Sequence, residues 1–157
     1  MDKSKQPGIR FDGIILAEEN FWRDYSIPKD SKIDLHFSAE NHIEGKKATV
    51  EVTSYLRLIY EEKEVLKLES KFVGFFSEIE GQENMNIEDY IKNNSVALIF
   101  PYIREHIHMI TAKSGIKPIM LPPINLRAML NTEKDKPVVK WLQVIFLTPI
   151  SLGKDDS

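Results

Sequence analysis

Apolar and polar residues alternate with a period of two through most of the first half of the chain. In KIDLHFSAE, Ile33, Leu35 and Phe37 fall on one side and Asp34, His36 and Ser38 on the other, the pattern of a half-buried strand. ATVEVTSYLRLIY repeats it, with Val50, Val52, Leu56, Leu58 and Tyr60 alternating with Thr49, Glu51, Thr53, Tyr55 and Arg57. Beyond the charged turn EEKE, VLKLESKFVGFFSEI sets Leu66, Leu68, Phe72 and Phe76 in one register and Lys67, Glu69 and Lys71 in the other, which predicts a hairpin. Gly74 shares the face of Phe72 and Phe76, where a missing side chain lets a neighbouring element come close. Val65, Val73 and Phe75 put apolar surface on the otherwise polar face, so that face is not wholly solvated. Upstream, IRFDGIILAEENFWRDY, from Ile9 to Tyr25, breaks short apolar patches with charge and reads as an irregular or bulged strand pair.

The period then changes. Val96, Ile99, Phe100, Ile103, Ile107 and Ile110 recur at spacings of three and four, while Arg104, Glu105, His108 and Lys113 lie largely off that stripe, which predicts an amphipathic helix. Pro101 fits if the helix starts only a few residues earlier or kinks there, and Gly115 is the expected terminator. IKPIMLPPIN cannot continue the helix, because three prolines interrupt it, yet it carries Ile116, Ile119, Met120, Leu121 and Ile124. Asn125 can cap a second helix beginning at Leu126. Strands followed by helices make an α+β arrangement. A length of 157 residues supports one domain, taken here as residues 1–150 with a short polar tail at 151–157.

Charge and composition exclude several function classes. With 21 basic and 24 acidic residues and a net charge of -3, no basic footprint for nucleic acid is present. The absence of cysteine removes disulfides and thiolate metal sites and fits a reducing compartment. MDKSKQPGIRF has lysines but no apolar run behind them, and the longest apolar stretches fall short of the roughly 20 residues of a membrane span, so membrane insertion is not expected and the cytoplasm is the expected location. His106 and His108, two apart on a helix, point about 200° away from each other, and no metal site is expected. Ser95 and Ser114 lack a nucleophile-elbow setting, no glycine-rich phosphate loop occurs, and pairs such as Glu88 and Asp89 or Glu61 and Glu62 are adjacent and solvated. An enzyme is therefore not expected, nor a cofactor.

What remains is binding. ALIFPYIREHI followed by IKPIMLPPINLRAML resembles the SecB family of export chaperones, in which a phenylalanine-proline-tyrosine-x-arginine-glutamate core opens the main helix and a proline-x-x-x-leucine-x-proline-x-asparagine segment follows. The matching positions are Phe100, Pro101, Tyr102, Arg104 and Glu105, then Pro118, Leu121, Pro123 and Asn125. VGFFSEIEG also resembles the family's fourth strand, and the likeness runs from about Ile9 to Leu130. It implies a four-stranded antiparallel sheet with helices packed on one face, an oligomer built as a dimer of dimers, and apolar surface grooves that hold unfolded polypeptides without ATP.

On that resemblance, Leu68, Phe72, Gly74, Phe76, Ile99, Phe100, Ile103 and Ile107 are expected in the core or a subunit interface. Tyr55, Phe75, Ile119, Met120 and Leu121 are the groove candidates, on the mixed strand face or in the proline-rich loop. Glu18, Glu19, Glu51 and Glu69 are the candidates for an acidic sheet surface offered to the SecA translocase motor, although a solvated strand face predicts the same charges. The chain departs from the family after Leu130: NTEKDKP interrupts the second helix, and VVKWLQVIFLTPI brings back an apolar, β-branched run that favours a strand or packed segment. Only SLGKDDS remains as a tail, which puts docking of the motor through a tail in doubt. Two other readings follow, a dedicated chaperone of a toxin-antitoxin system that binds an antitoxin, and a protein of the same fold with a closed groove.

Overall fold

The computed structural model describes residues 6–122 and the backbone of Leu142–Ile145. Strands β1 (Ile9–Arg23), β2 (Lys32–Glu44), β3 (Lys47–Tyr60) and β4 (Lys63–Glu78) precede helix α1 (Ile87–Lys113), and β5 (Leu142–Ile145) comes last. All pairs are antiparallel, and the sheet order is β1-β4-β3-β2-β5. The four expected strands are present in Greek-key order, since β2, β3 and β4 follow as hairpins while β1 lies beside β4. β5 extends the sheet by one edge strand within the late apolar run, pairing Asp34–Phe37 of β2.

The hairpins are made by two-residue turns. At β2–β3, Gly45 takes φ 59°. At β3–β4, Glu61 and Glu62 both sit at positive φ, 45° and 64°, in the EEKE turn; the mirror-image turn matches strand twist, which is why it forms even without glycine.

Alternation sends Ile33, Leu35 and Phe37 of β2, Val50, Val52, Leu56 and Leu58 of β3, and Leu66, Leu68, Phe72 and Phe76 of β4 to one face, where all are buried. Helix α1 lies on this face through Ile87, Ile91, Ile99, Ile103 and Ile107, all buried and spaced by multiples of four. Ser95 and Thr111 continue the same row without leaving unsatisfied hydroxyls, because they donate to the carbonyls of Ile91 and Ile107 at 2.6 and 2.7 Å. Gly74 lies under Ile99. Phe37 meets Phe100 edge-on at 5.9 Å, and Phe11 of β1 packs against Phe76 at 4.9 Å with the rings tilted by 31°.

Three expectations need correction. The region Ile9–Tyr25 is one 15-residue strand followed by a turn, and not a strand pair; bulges between Phe11 and Gly13 and between Leu16 and Glu18 shift its phase and disguise it. The helix starts at Ile87, so Pro101 lies deep inside it. Asn86 caps that start, its side chain accepting from the amides of Glu88 and Asp89 at 2.8 and 3.3 Å, and the two acidic residues favour the positive helix end. Pro101 is tolerated because it and Ala97, whose carbonyl loses its partner, are exposed to solvent. Val65, placed on the polar face by simple alternation, is buried in the core, because an irregularity opposite Leu58 and Ile59 leaves it outside the ladder.

The second helix expected from Leu126 and the tail at 151–157 lie outside the described residues. No described helix is long and apolar enough to cross a membrane.

Candidate functional site

The proline-rich loop folds back on α1. Gly115, at φ 76°, ends the helix; Arg23, the last residue of β1, donates to the carbonyl of Ser114, so the loop leaves beside the end of β1. Further on, the Ile119 amide donates to Thr111 Oγ1 at 2.9 Å, a buried bond that sets which way the next side chains point. Ile119 and Leu121 turn into the core, where only 2% and 3% of their surface is exposed, and Met120 between them is 73% exposed.

The five groove candidates therefore do not share one surface. Tyr55 and Phe75 lie half-buried on the sheet face opposite α1, Ile119 and Leu121 are buried on the helix side, and only Met120 presents itself to solvent there. Of the eight core or interface candidates, Leu68, Phe72, Gly74, Phe76, Ile99, Phe100, Ile103 and Ile107 are all buried within the single chain.

Register organises the face without a helix into rows. Trp22, Lys67, Arg57 and Asp34 cross the sheet in one row, then Asn20, Glu69, Tyr55 and His36, then Glu18, Lys71, Thr53 and Ser38. The first two rows surround an open depression of about 480 Å³ lined by His36, Tyr55, Arg57, Glu64, Lys67 and Glu69. Opposite charges alternate across it. Asp34 pairs with Arg57 and lies 2.6 Å from His36 Nε2, Arg57 reaches Glu64 at 3.7 Å, and Lys67 reaches Glu69 at 3.5 Å. Lys71 donates to Glu18 at 3.0 Å, and that hydrogen bond first, against some desolvation, holds the ammonium above the ordinary lysine range, with the charges of Glu18 and Glu51 adding to it.

The acidic candidates are thus divided. Glu18, Glu51 and Glu69 share the open face, but Glu18 and Glu69 are each paired with a lysine. Glu19 belongs to the other face, where it lies 2.8 Å from Nε2 of His106, a buried helix residue whose ring meets Phe72 edge-on at 5.4 Å.

Apolar surface that the sequence reading did not single out lies on β1. Ile15, Leu16, Phe21 and Trp22, with Tyr25 just beyond, are exposed on this edge strand. Leu16 and Phe21 share the face of Phe72 and Leu68, and Ile15 and Trp22 the face of Val73 and Lys67, so both sides of the edge are apolar. The signal was present in IIL and FW, but the bulges concealed which way each residue turns. Exposed apolar edge strands are in general the places where sheets pair with other chains, because an edge has backbone groups free on one side.

Comparison with known proteins matches this fold. The family model described as preprotein translocase subunit SecB matches residues 17–136. An uncharacterized protein of Methanocaldococcus jannaschii is 30% identical over 153 residues, spanning 87% of this chain and 97% of its own length. The protein-export protein SecB of Anaplasma phagocytophilum is 33% identical over 93 residues, 55% of this chain and 59% of the relative, so the match spans little more than half of that export protein. A Mycobacterium tuberculosis SecB-like chaperone, solved in complex with a ChAD peptide from an antitoxin, superposes with a TM-score of 0.64 over 74% of this chain and 91% of its own, at 17% identity, a likeness of fold. The antiparallel sheet, the helix laid across it and the matched span together place this chain in the SecB family.

Proposed function

We propose that the protein is an ATP-independent holdase chaperone that binds unfolded polypeptides on apolar surface and works as a homo-oligomer, a dimer of dimers, in the cytoplasm. The observation that carries this reading is the exposed apolar surface of β1 and of the loop that starts beside its end: Ile15, Leu16, Phe21, Trp22, Tyr25 and Met120. Apolar contact is nondirectional and sequence-tolerant, and a flexible methionine adapts to varied partners. Folded proteins keep such segments buried and are ignored. Binding the unfolded state alone shifts its equilibrium by mass action, so no nucleotide is needed. Part of the β1 edge serves self-assembly; the open face, with Tyr55 and Phe75, and the Met120 loop serve clients. Release of the loop from Thr111 would add Ile119 and Leu121 to the client surface.

A second reading, a dedicated partner of an antitoxin, draws support from the fold neighbour solved with an antitoxin peptide. The pairing of Glu18 and Glu69 with lysines favours it over docking of SecA on an acidic sheet. Native mass spectrometry tests both readings. The protein is mixed with one precursor, offered folded or freshly diluted from denaturant, and separately with an antitoxin encoded beside its gene. Complexes with the unfolded precursor alone support the general holdase; a complex with the antitoxin alone supports the second reading. No complex with either overturns both and leaves a closed-groove protein.

A further inference from the structure

One row of the open face departs from the pairing of opposite charges. Among the described residues of this face, Glu18, Asp34, Glu64 and Glu69 each lie within ion-pair distance of a lysine or arginine. In the next row Glu40 of β2 stands directly opposite Glu51 of β3, with no such base on either. Lys71, whose charge reaches Glu51, gives its hydrogen bond to Glu18. Like charges directly opposite in a sheet are unfavourable, so this row holds a local excess of negative charge.

His42 lies two residues beyond Glu40 on the same face, its Nε2 3.5 Å from Glu40 Oε1. One ligand atom from each of Glu40, His42 and Glu51 lies within 4.8 Å of the other two. Bonds of about 2.0–2.2 Å in a tetrahedral site require ligand atoms roughly 3.4 Å apart, so binding would draw the three side chains together by rotation, with Glu40 and Glu51 already held opposite each other by the strand register. The geometry points to a divalent metal site formed by Glu40, His42 and Glu51. One imidazole and two carboxylates suit a borderline ion such as zinc, cobalt or nickel, and the imidazole disfavours magnesium and calcium. The side chains of Glu40 and His42 are more than half exposed, so the site keeps at least one position open to water or to a donor on another molecule.

Sequence alone could not show this site, because Glu51 joins the other two only through the β2–β3 register. The test uses the full chain without a polyhistidine tag. Zinc chloride and nickel chloride are titrated calorimetrically into wild type, His42→Ala, Glu51→Gln and His36→Ala, with circular dichroism to verify folding, and cobalt is used to broaden amide resonances in two-dimensional spectra. One saturable site is expected, weakened by about tenfold or more in His42→Ala and Glu51→Gln and unchanged in His36→Ala, with broadening centred on residues 40, 42 and 51. Wild-type affinity in His42→Ala and Glu51→Gln, broadening centred on His36 or on His106 and His108, or no saturable binding would each overturn the assignment.

Discussion

Ile99 occupies the space that a side chain at Gly74 would fill: a Cβ there would lie 2.9 Å from Ile99 Cδ1 and 3.2 Å from Phe11 Cε2. The Ile99 side chain therefore packs closer to the β4 backbone than a residue with a Cβ would allow without a shift. Gly74→Ala should cost about 1–2 kcal/mol, since the Ile99 tip can shift only partly against its neighbours, and Gly74→Val more, about 3 kcal/mol. Urea unfolding of both variants, read as midpoint and slope, measures this; wild-type stability in Gly74→Val would show that the helix moves freely over the strand.

Thr111 joins the helix to the loop by one hydroxyl, which donates to the Ile107 carbonyl and accepts from the Ile119 amide. Thr111→Val keeps the shape and removes the acceptor, leaving the Ile119 amide buried without a partner at about 1–3 kcal/mol. Hydrogen exchange should speed up at Ile119 and its loop neighbours while the sheet amides keep their protection. Thr111→Ser should restore the slow exchange.

Met120 and Leu121 are adjacent and should respond in opposite ways. Met120→Asp leaves a solvated charge, so the fold should persist while affinity for an unfolded client falls, as anisotropy of a labelled client reports. Leu121→Asp and Ile103→Asp place a charge in the core and should cost about 3–5 kcal/mol or prevent folding altogether. Undiminished client affinity in Met120→Asp would remove the loop from the binding surface.

The Lys71–Glu18 bond ties β4 to β1 immediately after a bulge. Because the folded state raises the Lys71 pKa, the stability it contributes is fully present below the unfolded lysine value and is lost as pH rises through the higher folded value. Wild type should therefore lose stability more steeply than Glu18→Gln as the pH rises past the ordinary lysine value near 10.4. Parallel urea midpoints above that value would mean that the pair does not survive in solution.

Strands β2 and β3 and the body of the helix were legible because each has one clear period and one buried face; β4 was legible except at Val65, where an irregularity breaks its period. Gly74 was legible because its neighbours placed it on the packed side. β1 was not, because each bulge inverts the side-chain phase and the alternation of Ile15, Leu16, Phe21 and Trp22 can be read only against β4. The first helical turns were missed because their inward row is sparse, with only Ile87, Ile91 and Ser95 ahead of the dense stripe, and the Asn86 cap is a single residue in a polar stretch. In Ile119-Met120-Leu121 three apolar residues run together; the inward and outward turns depend on the bond to Thr111, which no local pattern encodes.

The placement of β1 beside β4 also sets an order of events. β1 is synthesised first, yet its pairing partner ends at Glu78, so the β2–β3 and β3–β4 hairpins can close locally while β1 must wait for a long loop to shut. During that interval its isoleucines, phenylalanines and tryptophan have no sheet to join. A nascent copy of this protein thus exposes, for a time, the same kind of extended apolar segment that the finished protein is proposed to hold.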